Sequence, residues 1–187
     1  MQNLKNSSVN NTLLIVYPAI MAALTAIGAY IAIPLPVSPV PVTFQNLLVI
    51  LSGLLLGAKL GFVSQIIYLA LGIIGLPVFA GGTAGIGVIF SPSGGYLLAF
   101  PLAAYICGKL RGSSILKLSI SSLSGMISIY ILGVLFMILF WDFNFWQAVS
   151  AGVIPFLPGD IFKLMLAVAF RMSLPAEFRR KLGLTVS

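Results

Sequence analysis

Apolar residues run in long blocks along this chain, and polar ones collect in the gaps between them. Six blocks, residues 13–33, 42–56, 60–76, 94–108, 116–140 and 147–170, predict six helices, judged against the roughly 20 residues that cross a bilayer. The second, third and fourth are short, which predicts tilt or extension by ordered loops. The sixth is interrupted by Pro155 and by Pro158-Gly159.

The gaps alternate in charge. Lys5 precedes the first block and Lys59 separates the second from the third. Lys109, Arg111 and Lys117 surround the fourth-to-fifth connection, and Arg171, Arg179, Arg180 and Lys181 follow the sixth block. The other three connections hold no Lys or Arg, and Asp142 is their only charge. Every one of the 10 basic residues except Lys163 therefore falls on one side, which the positive-inside rule makes cytoplasmic, with both termini there.

Composition sharpens this picture. The 187 residues are 60% hydrophobic and 7% charged, far below the roughly 25% charge of a soluble domain. The chain reads as an all-α integral membrane protein, a single six-helix domain over residues 1–187. Its net charge of +7 is scattered in short clusters, a pattern of membrane orientation rather than of nucleic-acid binding. Residues 1–11 are polar, and the apolar run after them exceeds a signal-peptide core, which predicts a retained first span. Cys107 stands alone in an apolar block, so it reads as a packing residue with no disulfide or zinc role. The absence of His removes the commonest catalytic base and metal ligand.

The three non-basic connections have distinct chemistry. Residues 33–41 carry Pro34, Pro36, Pro39 and Pro41, which predicts a rigid extended loop. Residues 76–95 are glycine-rich yet include Phe79, Ile86, Val88, Ile89 and Phe90. Bulky apolar side chains among hinge-capable glycines suit a lid or binding loop over a cavity. The run Gly81-Gly82 to Gly85-x-Gly87 lacks the Lys-Ser/Thr of a P-loop, and its use would be as backbone N–H groups for a carboxylate. Residues 141–146, Trp-Asp-Phe-Asn-Phe-Trp, have the character of an interfacial belt.

Asp160 and Lys163 are the only acid and base within residues 154–170. Three residues apart, they share one helix face, about 4.5 Å apart along its axis. A lone ionised group at the centre of a membrane helix costs about 2.5–3.5 kcal/mol. Pro158 is placed to open a helix with Asp160 in its first turn. From there to Met172 is about 22 Å, shorter than the hydrocarbon core, so the pair is expected at a pocket floor under the external loops. Two readings stand: a structural ion pair that locks helix packing, or a site for a polar ligand.

Other polar residues are weaker signals. Gln45, Asn46, Gln65, Tyr68 and Tyr96 can hydrogen-bond a ligand, but membrane helices also use such groups to hold one another, and that reading weighs more for each. Ala19, Ala22, Ala23 and Ala26 form overlapping small-xxx-small pairs, which suit either internal packing or a face for another membrane subunit. No nucleophile–base pair, paired carboxylates or metal-ligand cluster is visible. An intramembrane enzyme would have to work with Asp160 and Lys163 alone.

Four ordered motifs carry a resemblance: residues 36–45 (Pro-Val-Ser-Pro-Val-Pro-Val-Thr-Phe-Gln), 75–82 (Gly-Leu-Pro-Val-Phe-Ala-Gly-Gly), 92–96 (Pro-Ser-Gly-Gly-Tyr) and 155–163, with its Pro-Gly-Asp-x-x-Lys element. They resemble the BioY family, the biotin-binding S components of energy-coupling factor (ECF) transporters. The resemblance implies a six-helix bundle with a biotin site under the first and third loops, and no cofactor. It also implies partnership with a transmembrane coupling subunit, docked on small residues such as Ala19 and Ala23, and with two cytoplasmic ATPases. On this reading Asp160 and Lys163 meet the polar ends of biotin. Phe79, Ile86, Val88 and Tyr96 pack on its apolar part, Gly81 and Gly82 offer amides, and Gln45 is a further hydrogen-bonding candidate. An S component for another vitamin is the nearest alternative.

Overall fold

The computed structural model describes residues 2–175, and the side chains of residues 14–175. The side chain of Lys5, and Glu177, Arg179, Arg180 and Lys181 entirely, lie outside the described residues. Among the described residues eight α-helices form: α1 (Gln2–Tyr30), α2 (Gln45–Leu56), α3 (Ala58–Ile73), α4 (Ile86–Ile89), α5 (Gly94–Leu110), α6 (Ile115–Phe140), α7 (Phe145–Gly152) and α8 (Leu157–Ser173). Two stretches, Ile115–Phe140 and Phe145–Ser173 with its break, are long and apolar enough by themselves to cross a membrane; Leu14–Tyr30 and helices α2, α3 and α5 are shorter and apolar.

The fold is not purely helical. Residues 33–41, expected as an extended loop, belong to an antiparallel hairpin of β1 (Ala32–Leu35) and β2 (Ser38–Thr43), with Ile33 opposite Val42 and Leu35 opposite Ser38. The prolines explain both the expectation and the outcome. They fix φ in the extended range and donate no backbone hydrogen bond, which a two-stranded sheet tolerates because every strand has a free edge.

Glycine sets how closely the helices approach. Helix α2 ends at Gly57, whose φ of 82° lies in the left-handed region and lets α3 begin at the next residue. The guanidinium of Arg111 lies against this corner and donates from Nη1 to the Leu55 carbonyl at 3.0 Å, one of the unpaired groups at the end of α2. A Cβ on Gly53 would meet the Ala104 carbonyl, and one on Gly108 would meet the Gly57–Ala58 backbone. Helices α2 and α5 therefore touch backbone to backbone, as small residues allow. Helix α5 is central, packing on α2, α3 and α6.

The last apolar segment breaks where its prolines predicted. Helix α7 opens on an Asn144/Gln147 capping box and ends at Gly152. A short 3₁₀ turn (Ile154–Phe156) follows, and α8 starts with Pro158 in its first positions and Asp160 in its first turn. By chain order, the hairpin, the 74–93 connection and the 141–144 turn share one end of the bundle. Lys59, Lys109, Arg111 and Lys117 share the other.

Candidate functional site

A cavity of about 340 Å³ opens at the non-basic end, within the size range of small-molecule sites. The hairpin and the start of α2 supply Val40, Pro41, Thr43, Gln45 and Asn46. The glycine-rich roof supplies Ala80, Thr83, Val88, Ser91 and Ser93. Tyr96, Leu97 and Phe100 of α5, Tyr130 of α6 and Phe156 ahead of α8 complete the wall.

Asp160 and Lys163 are 2% and 4% exposed and stand one layer behind this wall. Lys163 Nζ donates to Asp160 Oδ1 at 2.7 Å. The other carboxylate oxygen, Oδ2, accepts from the Tyr130 hydroxyl at 2.6 Å and from Asn46 Nδ2 at 3.2 Å. Two cavity-lining side chains from α2 and α6 thus converge on one carboxylate of α8. Desolvating that carboxylate is offset by a countercharge and two neutral donors.

A second polar chain runs along the wall. Thr43 Oγ1 donates to Gln45 Oε1, and Gln45 Nε2 donates to the fully buried Tyr68 hydroxyl. Near the roof, the hydroxyls of Ser91 and Ser93 lie 3.1 Å apart beside the N-terminus of α5. The apolar wall is held by glycine notches. The Tyr96 ring fills the space where a Cβ of Gly133 would sit, and its hydroxyl donates to the Gly152 carbonyl at 2.8 Å.

The other expected residues are distributed unevenly. Gln45, Val88 and Tyr96 line the cavity. Phe79 does not; it is fully buried, fits into the notch at Gly72 and packs edge-on against Tyr68 at 5.7 Å. Gly81 and Gly82 form the 3₁₀ turn (Ala80–Gly82) whose Ala80 faces the cavity. Ile86 is 54% exposed and lies outside the wall. On α1, Ala19 and Ala23 are exposed, Ala26 is half-buried and Ala22 packs inward. Tyr130, Ser91, Ser93 and Thr43 have no signal of their own in the sequence, and Asn46 reads there as a candidate ligand group but more heavily as a helix contact. No cluster of three or more His, Cys, Asp or Glu that could hold a metal occurs among the described residues.

Comparison with known proteins follows this geometry. Residues 1–180 match the model of the BioY family. The probable biotin transporter BioY of Pyrococcus horikoshii is 45% identical over 150 residues, covering 80% of this chain and 88% of that protein. The biotin transporter BioY of Thermotoga maritima is 40% identical over 157 residues, 83% of this chain and 91% of that one. The crystal structure of the S-component for biotin from an ECF-type ABC transporter superposes with a TM-score of 0.80 at 28% identity, covering 87% of this chain and 90% of that one. With the match running through both the hairpin and the Asp160–Lys163 helix, the chain belongs to the BioY family.

Proposed function

We propose that this protein is the biotin-binding S component of an ECF-type transporter. Six spans would cross the cytoplasmic membrane, the basic end and both termini facing the cytoplasm. The family is one of transporters, which sets aside the intramembrane-enzyme alternative. The observation that carries the reading is the buried Asp160 carboxylate, coupled to the cavity through Asn46 and Tyr130.

The hydrogen-bond polarity of that arrangement suits biotin. Because the Tyr130 hydroxyl and an Asn46 amide N–H both donate to Asp160, the Tyr130 lone pairs and the Asn46 carbonyl are left to face the cavity. Those are acceptors for the two ureido N–H groups of biotin. Lys163 pairs with the carboxylate and orients it. The apolar ring and chain would lie on Tyr96, Leu97, Phe100 and Val88, and the carboxylate near Ser91, Ser93 and the positive end of α5. The chain carries no ATPase motif, so a transmembrane coupling subunit, docked on the Ala19/Ala23 face of α1, and two ATPases would complete the transporter.

The test is mass spectrometry of small molecules released when the purified protein is denatured, with calorimetric titration of biotin. Stoichiometric, unmodified biotin is expected. A different vitamin in that fraction would move the protein to the alternative S-component reading, and failure to bind biotin in calorimetry would overturn the assignment.

A further inference from the structure

The roof over the cavity is tied to the bundle at both of its ends by aromatic side chains that do not themselves line the cavity. At the start, the Tyr30 hydroxyl, on the last residue of α1, donates to the Pro77 carbonyl at 2.6 Å. Its ring lies beside Gly82 in the 3₁₀ turn, close enough to touch a Cβ placed there. At the end, Trp141 Nε1, just past α6, donates to the Phe90 carbonyl at 3.1 Å. Tyr30 and Trp141 are both exposed, 59% and 43%. The segment between the two bonds contains Gly81, Gly82 and Gly85, all with φ between 66° and 93°. It also supplies Ala80, Thr83 and Val88 to the cavity.

Inside the segment the roof has two buried anchors, Phe79 and Ile89, and one backbone tie, from the Gly85 N–H to the Gly72 carbonyl at 2.8 Å. Phe79 and the Gly85 tie attach it to α3, and α4, which carries Ile89, packs on α3 and α5. The Tyr30 and Trp141 bonds attach it instead to α1 and α6, so they govern whether its two ends can lift from the helices on either side.

We infer that Tyr30 and Trp141 are positioning residues that hold the roof closed over a bound ligand and so set how long it is retained. The inference rests on the biotin-binding reading for the identity of the ligand, but not for the mechanics of the roof. A pair of hydrogen bonds that fastens a hinged segment acts mainly on escape, so dissociation should respond and association should not. Each bond is of the strength that changes a rate by about fivefold.

The experiment uses the full chain in lipid nanodiscs, with Tyr30→Phe, Trp141→Phe and the double variant, each of which keeps an aromatic ring. Tyr105→Phe, on an exposed tyrosine toward the basic end of α5, is the control. Labelled biotin is chased with excess unlabelled biotin, and hydrogen–deuterium exchange of the roof amides is followed in the empty protein. Dissociation is expected to quicken about fivefold in each single variant and at least tenfold in the double, with association within about twofold of wild type. Exchange across residues 80–90 should quicken in parallel. Double-variant dissociation within twofold of wild type overturns the retention role, whatever the exchange shows. If wild type binds no biotin, the functional reading fails by itself, and unchanged roof exchange in the double variant would separately overturn the fastening role.

Discussion

The Asp160 cluster and the Gln65 cluster are both buried and polar, yet they differ in what they face. Gln65 is fully buried in α3, and its Nε2 contacts Thr25 of α1, Ser52 of α2 and Ser64 of α3, each at 3.2 Å. Those three hydroxyls give their own protons to carbonyls within their helices, at Met21, Val49 and Gly61. The cluster is neutral and joins three helices, and none of its members lines the cavity. Asp160 and Lys163 are charged, and two of the side chains around the carboxylate form the cavity wall. Burial of polarity alone therefore does not mark a site in a membrane bundle. Charge beside empty space is what sets the Asp160 cluster apart from the Gln65 cluster.

Breaking the charged cluster should have the largest effect. Asp160→Asn removes the charge that orients Lys163, Tyr130 and Asn46, and Lys163→Ala leaves a buried carboxylate without its countercharge. Removing one partner of a buried pair costs about 3–5 kcal/mol, so biotin affinity by calorimetry should fall at least ~100-fold for either variant. Membrane insertion should persist for both, as judged by yield in the membrane fraction. Near-wild-type affinity for both would end the claim that this cluster differs in kind from the Gln65 cluster.

Tyr130→Phe should act less strongly. It removes one acceptor from the cavity and one donor to Asp160 but keeps the ring and the ion pair, so affinity should weaken by about tenfold. Gln65→Leu sits at the other extreme. It should leave biotin affinity within about twofold, because every hydroxyl around it retains its own carbonyl partner. Its effect should be on stability alone, about 1 kcal/mol in a thermal or denaturant unfolding assay, the scale of polar contacts between membrane helices. Loss of biotin binding in Gln65→Leu would erase the distinction between the two clusters.

Much of the helical frame was legible because apolar blocks of this kind read as helices and because Pro and Gly have few uses. The break before α8, with Asp160 in its first turn, follows from Pro158 and the three-residue spacing to Lys163. The clustering of the two non-basic loops around one cavity follows from the alternation of charge along the chain, which puts both at the non-basic end. The hairpin was hidden because four prolines argue equally for an isolated extended loop, and only pairing between strands distinguishes the two. Tyr130 was hidden for another reason: an aromatic residue inside a long apolar helix looks like packing until a carboxylate from another helix is placed beside it. Small-residue spacing also has no inside or outside, so Ala22 reads like Ala19 and Ala23 although it turns inward. Ile86 shows the same limit in a loop, where apolar character gives no direction.

Tyr96 has a consequence for how such a site can change. Its ring is wedged against Gly133 of α6 and its hydroxyl is held by Gly152 at the end of α7, so this cavity wall also rivets three helices. Widening or narrowing the pocket from that side would disturb the frame before it altered the choice of ligand. In the glycine-rich roof the residues that enter the frame, Phe79 and Ile89, are not the ones that line the cavity. The shape of this cavity can therefore change at loop positions such as Pro41 and Thr83, with the helices left as a standing chassis.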